Sequence, residues 1–372
     1  MTVSQIQATI SLPRLKHNLY TIKSQLNPET KVMAIVKANA YSHGLINISS
    51  YLENQKIDYF GVARFDEALE LRQNHINTPI LVLSPVSNTL IDQAIIHHID
   101  LTISSLEQVK VLQQITKKLN LPASLHLKID TGMNRSGALP NKVIPLIKQI
   151  NQSPLLKLTG VFTHFSSSES PCQRETNSQL KIFNQSLKKI HKNLSSSVLI
   201  HSANSAATIS RKDTHFNMVR PGLALYGLNP FNPQPNPIKL KPILKLEAPV
   251  SRTHTALKGQ TIGYSNTHTL KEDTLVATIP AGYGDGLSLF PSWPYATINK
   301  QIAPVIGRVS MDQITLDINR IKPKPKIGQP ITLISWCHRH PSSVDKLALE
   351  LNTINYHIVT ALSARIERTY LK

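Results

Sequence analysis

Short apolar runs rich in β-branched residues recur along the first two thirds of the chain. Between most of them lie stretches in which apolar residues have helical spacing, including 67–74, 106–119 and 174–193, although the link before the last run is shorter. Repeated strand–helix alternation is typical of a parallel (β/α)8 barrel of the TIM type, an α/β fold. The predicted strands are 32–36, 59–63, 80–83, 100–103, 124–129, 158–163, 197–200 and 223–226.

The pattern changes after about residue 240 to strands and turns punctuated by glycine and proline. The proline-rich stretch 229–237 cannot continue a helix or a central strand, and it predicts a domain boundary. We therefore expect a barrel domain over residues 11–235 and a mostly β C-terminal domain over 236–372, with which residues 1–10 can pair. The strands predicted in the second domain are 243–250, 275–279, 303–308, 313–316 and 330–334.

Length and charge limit the number of domains and the class of ligand only slightly. A chain of 372 residues fits two domains, each able to bury its own core. Lys and Arg number 41 against 22 acidic residues, a net charge of +19 that favours anionic ligands. The basic residues are scattered, and the densest cluster, 322–326, is typical of a solvated turn. A nucleic-acid partner would rest on net charge alone, and we do not expect one.

The cysteines and the apolar runs indicate the compartment. Cys172 and Cys337 are too few and too far apart for a disulfide framework or a CxxC metal site. No run of 18 apolar residues occurs, and the first residues lack the features of an export signal. These patterns predict a cytoplasmic protein with no membrane association and no bound metal.

Lys37 is the first residue with a chemical interpretation. The apolar strand 32–36 delivers it to the C-terminal end of the barrel, where active sites of this fold lie. A lysine partly removed from water loses its proton more easily, and it can then form a Schiff base with an aldehyde. The simpler alternative is a surface lysine that happens to follow a strand.

The residues around Lys37 begin a series of motifs that extends along nearly the whole chain. In this order and spacing, the series resembles the pyridoxal-phosphate-dependent alanine racemase family. The motifs are AIVKANAYSHG (34–44), HLKIDTGMNR (126–135), THF (163–165), HSANS (201–205), VRPG (219–222), GYSNT (263–267), AGYGDG (281–286), GRVSMDQ (307–313) and TINY (353–356).

The resemblance implies two catalytic bases. Lys37 would carry pyridoxal 5'-phosphate as a Schiff base and act as the base for the D-enantiomer. Tyr264 would be the base for the L-enantiomer, because one group cannot easily serve both faces of Cα. A tyrosine has a reference pKa of about 10, so it needs assistance to act near neutral pH. Without the motif, Tyr264 would be an ordinary aromatic residue in a turn.

The resemblance also assigns four residues around the cofactor ring. Arg220 would face the pyridine nitrogen, and His164 would lie near the ring and hydrogen-bond this arginine. Arg135 would contact the phenolic oxygen and the substrate carboxylate. Lys128 would orient Arg135, in some relatives as a carbamate. The alternatives are a structural hydrogen-bonding role for His164 and, for Lys128, a barrel-interior lysine paired with a carboxylate.

The remaining residues implied by the resemblance contact the phosphate or the substrate, and some loop positions depart from the family pattern. Asn204 is a further cofactor contact. The backbone N–H of Met311 would bind the substrate carboxylate, and Tyr283 would lie near the entrance. The expected phosphate contacts are Tyr41, Ser205, Gly222, Leu223 and Tyr356. The departures are Ser42, Ser265, His268, Ser310 and His357, none of which removes a group that performs chemistry.

The function implied is interconversion of L- and D-alanine, which would supply D-alanine for peptidoglycan. The family further implies a homodimer with shared active sites. One alternative is a racemase of broader specificity, acting on serine or basic amino acids. Another is a non-catalytic pyridoxal-phosphate-binding protein made of the barrel alone, but the β domain carrying Tyr264 argues against it.

Overall fold

The computed structural model describes residues 5–372 and divides into two compact units. We call Leu19–Ala40 together with Gly44–Leu225 the barrel unit. We call the described residues up to Asn18, together with Tyr41–His43 and Tyr226–Lys372, the β unit.

The strands are numbered along the chain from the N-terminus. They are β1 (Gln7–Ser11), β2 (Lys31–Ile35), β3 (Tyr59–Val62), β4 (Ile80–Val82), β5 (Asp100–Ile103), β6 (Ala123–Lys128), β7 (Leu156–Phe162), β8 (Leu199–His201), β9 (Met218–Val219), β10 (Leu244–Pro249), β11 (Arg252–Ala256), β12 (Thr261–Ile262), β13 (His268–Thr269), β14 (Thr274–Ile279), β15 (Tyr295–Ile298), β16 (Gln301–Ile306), β17 (Ile314–Asp317), β18 (Pro330–Ile334) and β19 (Glu367–Leu371).

The helices are α1 (Leu12–Lys23), α2 (Lys37–Ser42), α3 (Leu45–Asn54), α4 (Phe65–Gln73), α5 (Ile91–Ile96), α6 (Leu106–Leu119), α7 (Val143–Asn151), α8 (Arg174–Ile190), α9 (Ser205–Ser210), α10 (Val344–Glu350) and α11 (Asn355–Thr360). None of those within residues 5–372 has the length and apolar character needed to cross a bilayer.

The barrel unit contains a closed barrel of parallel strands, β2 to β9. Each strand pairs with the next, and β9 closes the barrel on β2 by pairing Met218 with Lys31. Every residue of β3, β4 and β5 is buried, as expected for strands covered on both faces. The predicted (β/α)8 barrel is confirmed, and its parallel strands bring their C-terminal ends to the same edge.

The eighth strand differs from the sequence-based expectation. It is Met218–Val219, whereas 223–226 form a turn in which the Leu225 N–H donates to the Gly222 carbonyl. The prediction of a strand at 223–226 is therefore wrong. Leu223 and Leu225 are fully buried, so the apolar run reflects burial of a turn rather than strand formation.

Helix α6 illustrates why the predicted helices form. Ser105 accepts a hydrogen bond from the Gln108 N–H while the Gln108 side chain returns to the Ser105 N–H, which completes a capping box. Val109, Leu112 and Thr116 lie on one face and are buried. The helix ends at Leu119, and the left-handed residue Asn120 follows it.

The β unit is built on one long sheet with strand order β11-β14-β17-β16-β15-β18-β10-β1-β19. Strand β1 pairs antiparallel with β10 and parallel with β19, so the start of the chain lies between two C-terminal strands. Residues 1–4 of the segment expected to pair here lie outside the described residues. The unit also contains α10 and α11, which agrees with a mostly β domain.

Candidate active site

Lys37 follows β2 at the C-terminal edge of the barrel and is half-buried. Burial lowers the pKa of its amine, and the nearby cation of Arg135 lowers it further, while the Glu67 carboxylate opposes the shift. More of the amine is therefore neutral at a given pH than for an exposed lysine. A neutral amine is the form that attacks an aldehyde or accepts a proton.

The segment after Lys37 has an unusual backbone. Residues 38–42 all have φ between +51° and +63°, although none is glycine. Left-handed backbone costs non-glycine residues about 1–2 kcal/mol each, so such a run must be held by its surroundings. The Ala38 N–H donates to Glu67 Oε1 at 2.5 Å, and Asn39 Oδ1 accepts from the Leu45 N–H at 2.7 Å. These contacts fix the chain direction immediately after Lys37.

Arg220 is buried after β9, and four acceptors lie close to two of its guanidinium nitrogens. Its Nη2 donates to the backbone carbonyls of Thr163 and Ser202 at 2.7 and 3.0 Å, and its Nη1 donates to His201 Nδ1 at 2.9 Å. Nη2 also lies 3.3 Å from His164 Nδ1. Burial lowers the pKa of Arg220 to about 9, so it remains a cation at neutral pH.

The two histidines beside Arg220 are neutral. Burial first, and then the Arg220 cation, lower the pKa of His164 and of His201 well below the usual range. An arginine only donates hydrogen bonds, so the His201 Nδ1 that faces Arg220 Nη1 is an acceptor without a proton. The proton of the neutral His201 imidazole consequently lies on Nε2.

Lys128 at the end of β6 adds another cation to this group. Its Nζ donates to Ser136 Oγ at 2.6 Å rather than to a carboxylate. Burial and the cations of Arg135 and Arg220 lower its pKa to about 8. A substantial fraction of Lys128 is therefore neutral slightly above neutral pH.

The loop after β9 and the start of α9 form a compact backbone arrangement. Ser205 Oγ accepts from the N–H groups of Gly222 and Ala224 at 2.9 and 3.2 Å. The neighbouring Asn204 caps α9 by accepting from the Ala207 N–H. A hydroxyl surrounded by backbone N–H groups is a suitable environment for a phosphate group.

Two predicted cofactor contacts, Tyr41 and Tyr356, lie together in the β unit with ring centroids 6.0 Å apart. Tyr41 is buried, and its pKa is raised by burial and by the neighbouring Tyr356. Both effects keep the Tyr41 phenol protonated at neutral pH, so it can donate a hydrogen bond.

Tyr264 lies in a short turn of the β unit and is 70% exposed. The turn is held against the loop that contains Arg308, whose guanidinium donates to Ser265 Oγ at 3.1 Å. Gly263 begins the turn with φ +75°, a conformation that favours glycine. The tyrosine ring is thus carried on an anchored backbone while its phenol faces outward.

Met311 and Tyr283 are brought together by backbone hydrogen bonds. The Tyr283 N–H donates to the Ser310 carbonyl at 3.0 Å, and the Gly284 N–H donates to the Met311 carbonyl at 2.8 Å. The segment that carries the expected carboxylate donor is therefore held directly against the segment that carries Tyr283.

Arg365 ties the same two segments together through ion pairs. Its guanidinium donates to Asp285 Oδ1 at 2.8 Å and to Asp312 Oδ1 at 2.9 Å. Both carboxylates lie within family motifs, but no motif includes Arg365. Nothing in the sequence distinguishes this arginine among 41 basic residues, so sequence reasoning assigned it no role.

The barrel unit gathers Lys37, Lys128, Arg135 and Arg220, whose charges act on one another and lower the pKa of His164. Sequence reasoning assigned no role to His201, Glu67 or Ser136. His201 had a signal, since it begins the motif 201–205. Glu67 and Ser136 had none, because their partners Ala38 and Lys128 became evident only in the folded chain.

Family models match almost the whole chain. Residues 10–230 match the model described as alanine racemase, N-terminal domain, and residues 243–370 match alanine racemase, C-terminal domain. The alanine racemase of Methanococcus maripaludis is 35% identical over 373 residues, which cover 100% of both chains.

Solved structures agree with these matches. An alanine racemase of Clostridium difficile 630 superposes with a TM-score of 0.94 at 32% identity, covering 100% of this chain and 97% of that one. An alanine racemase from Bartonella henselae, described with covalently bound pyridoxal phosphate, has a TM-score of 0.88 at 28% identity, covering 99% of this chain and 100% of its own. The resemblance found in the sequence is confirmed, and the chain belongs to the alanine racemase family of isomerases.

Proposed function

We propose that this protein interconverts L- and D-alanine with pyridoxal 5'-phosphate bound to Lys37. The observation that carries the proposal is the half-buried Lys37 amine, which has a lowered pKa and lies at the barrel edge among Arg135, Lys128 and Arg220. Family membership supports the same reaction. The product D-alanine would serve peptidoglycan synthesis.

The residues present fit this cofactor. Lys37 supplies an amine for its aldehyde, Arg220 a donor for its pyridine nitrogen, and Arg135 a cation for its phenolic oxygen. Family membership implies that Ser205, Gly222 and Leu223 would contact its phosphate and that Tyr41, Asn204 and Tyr356 would add polar contacts. When bound, pyridoxal phosphate withdraws electrons from the substrate Cα and makes its proton acidic.

Arg220 determines how strongly electrons are withdrawn. A guanidinium donates a hydrogen bond but does not give up its proton at neutral pH, so a pyridine nitrogen facing Arg220 would stay unprotonated. This arrangement favours rapid return of the proton to Cα over side reactions such as transamination. Buried and bonded to two backbone carbonyls, Arg220 cannot readily turn away.

Racemisation requires a proton to leave one face of Cα and another to arrive on the opposite face. Lys37 serves the D-enantiomer and Tyr264 of the partner subunit serves the L-enantiomer, while Arg135, Tyr283 and the Met311 N–H hold the substrate. Cofactor binding is thus assigned chiefly to the domain 11–235, and the second base to the domain 236–372. The 70% exposed Tyr264 ring is available to another subunit, which supports a homodimer with shared sites.

Subunit exchange tests the shared site. Inactive Lys37→Ala and Tyr264→Phe proteins are mixed, and exchange is verified by mass labelling. Random exchange makes about half of the dimers mixed, and one of the two sites in each mixed dimer is intact. Activity should recover to about a quarter of the wild-type value. Verified exchange without recovery contradicts the shared-site model.

Lys128 is proposed to be carbamylated. The ammonium would first lose one proton; the neutral amine would then attack carbon dioxide, forming an N–C bond as one C=O π bond opens onto oxygen, and lose a second proton. The two steps together replace a cation by an anion beside Arg135. The lowered pKa of about 8 supports this step because only the neutral amine reacts. A carbamate signal in carbon-13 NMR after addition of labelled bicarbonate, absent in Lys128→Ala, would verify it. A wild-type spectrum without the signal contradicts it.

The overall proposal is tested by an absorbance spectrum of the purified protein and a racemase assay with alanine, serine, lysine and arginine. We expect a cofactor band and activity mainly on alanine. Comparable rates on serine or basic amino acids would instead favour the racemase of broader specificity. A cofactor band without activity on any of the four would favour a non-catalytic binding protein.

A further inference from the structure

A chain of buried polar side chains crosses the barrel interior and ends at Arg220. His201 contacts the next side chain of this series, His126 on β6, whose Nδ1 lies 2.9 Å from His201 Nε2. His126 Nε2 in turn lies 3.4 Å from the Tyr59 hydroxyl and 3.6 Å from Asp100 Oδ2. Tyr59 donates its own hydroxyl proton to Asp100 Oδ2. All of these side chains are buried.

The proton positions along this series of hydrogen-bonded side chains follow from the residues at its two ends, Arg220 and Asp100. Arg220 can only donate, so His201 Nδ1 accepts and the His201 proton lies on Nε2. That proton is donated to His126 Nδ1, which places the His126 proton on Nε2, facing Tyr59 and Asp100. The carboxylate at the far end can only accept while it is ionised. Each imidazole therefore has one tautomer that satisfies both neighbours.

The surrounding backbone leaves room for this arrangement. The pairing of β6 with β7 shifts register between Leu125 and His126, which sets His126 opposite Gly160. A Cβ at position 160 would overlap the His126 ring, so only glycine accommodates the imidazole there. Phe162 stacks on His201 with ring planes 4° apart and centroids separated by 4.8 Å. Strand register, a glycine and an aromatic ring thus enclose the two histidines.

We propose that Tyr59, Asp100 and His126 are positioning residues, which hold His201 in the tautomer that accepts from Arg220 and thereby hold Arg220 against the cofactor ring. Asp100 supplies a negative charge at the far end that polarises both histidines toward the buried cation. This inference rests on the proposed function, since it assigns to Arg220 the pyridine nitrogen of the cofactor. None of the three residues touches the reacting atoms.

The contrasting interpretation is that these residues only satisfy one another inside the barrel. Both interpretations expect a loss of stability on substitution, so stability cannot separate them. We call the series Tyr59, Asp100, His126 and His201 the relay. Only a positioning role of this relay predicts a change in the electronic state of the bound cofactor. The experiment therefore measures the cofactor absorbance maximum and the ratio of transamination to racemisation in the holoenzyme.

Three variants probe the relay. Asp100→Asn keeps an acceptor oxygen but removes the charge, Asp100→Leu removes both, and Tyr59→Phe removes the donor to the carboxylate. The residues that orient metal ligands contribute about 10–100-fold, and we take the lower part of that range for residues that orient Arg220. We expect the transamination ratio to rise by about 10-fold in Asp100→Asn and by more in Asp100→Leu, with a shifted absorbance maximum. Tyr59→Phe should change the ratio least.

The matched control is Thr102→Val on the same strand as Asp100. Thr102 is also buried, and its hydroxyl donates to the Val82 carbonyl rather than to the relay. We expect Thr102→Val to retain the wild-type ratio and spectrum. The proposal is overturned if the folded Asp100 and Tyr59 variants keep the wild-type ratio and spectrum, or if Thr102→Val changes them equally.

A neutron structure of the perdeuterated wild-type protein tests the tautomers without relying on any variant that might not fold. We expect a deuteron on Nε2 of both His201 and His126 and none on either Nδ1. A deuteron on either Nδ1 would overturn the relay. A wild-type protein that binds no cofactor would instead contradict the proposed function, and the neutron result would still decide whether the tautomer chain exists.

Discussion

Two site residues of the barrel unit and two of the β unit differ sharply in exposure. In the barrel unit, Arg220 is 4% exposed and Lys128 is 7% exposed, and each has a defined hydrogen-bond partner. In the β unit, Tyr264 is 70% and Met311 is 53% exposed. Burial among fixed partners controls protonation, which is why the pKa values of Lys37, Lys128 and His164 are all lowered.

This difference indicates how the proposed catalytic roles are divided between the two units. The barrel unit can set charges and tautomers within one chain, because its groups act on one another through a medium with little water. The β unit instead presents side chains on an anchored backbone, such as the turn that carries Tyr264. Substitutions of Lys37 and Arg220 in the barrel unit should therefore alter the cofactor itself, whereas those of Tyr264 and Arg365 in the β unit should alter rates or substrate binding and leave the bound cofactor unchanged.

The largest effect is expected for Lys37→Ala. Losing both the attachment point and one base should abolish the protein-bound cofactor absorbance and lower racemase activity by about 10⁴-fold or more, since base catalysis alone contributes about 10²–10⁴-fold. Absorbance spectroscopy and a coupled D-alanine assay measure both. Lys31→Ala, an exposed lysine at the other end of the same strand, is the control. Retention of a borohydride-reducible cofactor in Lys37→Ala would place the attachment elsewhere.

Arg220→Glu should give the next largest effect. A carboxyl group lets the pyridine nitrogen become protonated, and it leaves the Thr163 and Ser202 carbonyls without their donor. We expect racemisation to fall by about 10³-fold, in line with loss of a preorganised donor, and transamination products to become measurable. Arg220→Lys keeps the charge and should show far less transamination. Normal racemisation by Arg220→Glu without side products would refute the role given to this residue.

Tyr264→Phe should act on rate alone. Because the ring is exposed, removing its hydroxyl should leave the melting temperature and the cofactor spectrum unchanged. We expect activity to fall by about 10²-fold, the lower end of the range for base catalysis. Exchange of the Cα proton with deuterated solvent should fall more for L-alanine than for D-alanine, as followed by NMR. Equal losses for the two enantiomers would argue against a base that serves one face.

The smallest effect is expected for Arg365→Lys. A lysine ammonium replaces the planar guanidinium that contacts both Asp285 and Asp312. The two segments would then be held less firmly, and the Met311 N–H would be less precisely positioned. We expect KM for alanine to rise by about 10-fold or less while kcat and the cofactor spectrum stay near wild-type values. Arg252→Lys on β11 is a matched exposed control. A fall in kcat with unchanged KM would mean that Arg365 acts on another step.

Individual elements show how far local patterns reach. Helix α6 and strand β18 have the bounds that periodicity predicts, because their burial pattern repeats along continuous sequence. The run 223–226 is a turn rather than the predicted strand, since apolarity alone does not distinguish a buried turn from a strand. The left-handed backbone of 38–42 has no local signal, because its residues are not glycines.

The sequence by itself determined the strand–helix alternation, the apolar strand that ends at Lys37 and the family motifs, because each depends on residues that are close together in the sequence. Only the tertiary structure decided the partners of Arg220, the contact between His126 and His201, and the pairing of β1 with β10 and β19. His126 and His201 are 75 residues apart in the chain. Protonation and hydrogen bonding depend on burial and on such distant neighbours, which exist only once the barrel has closed.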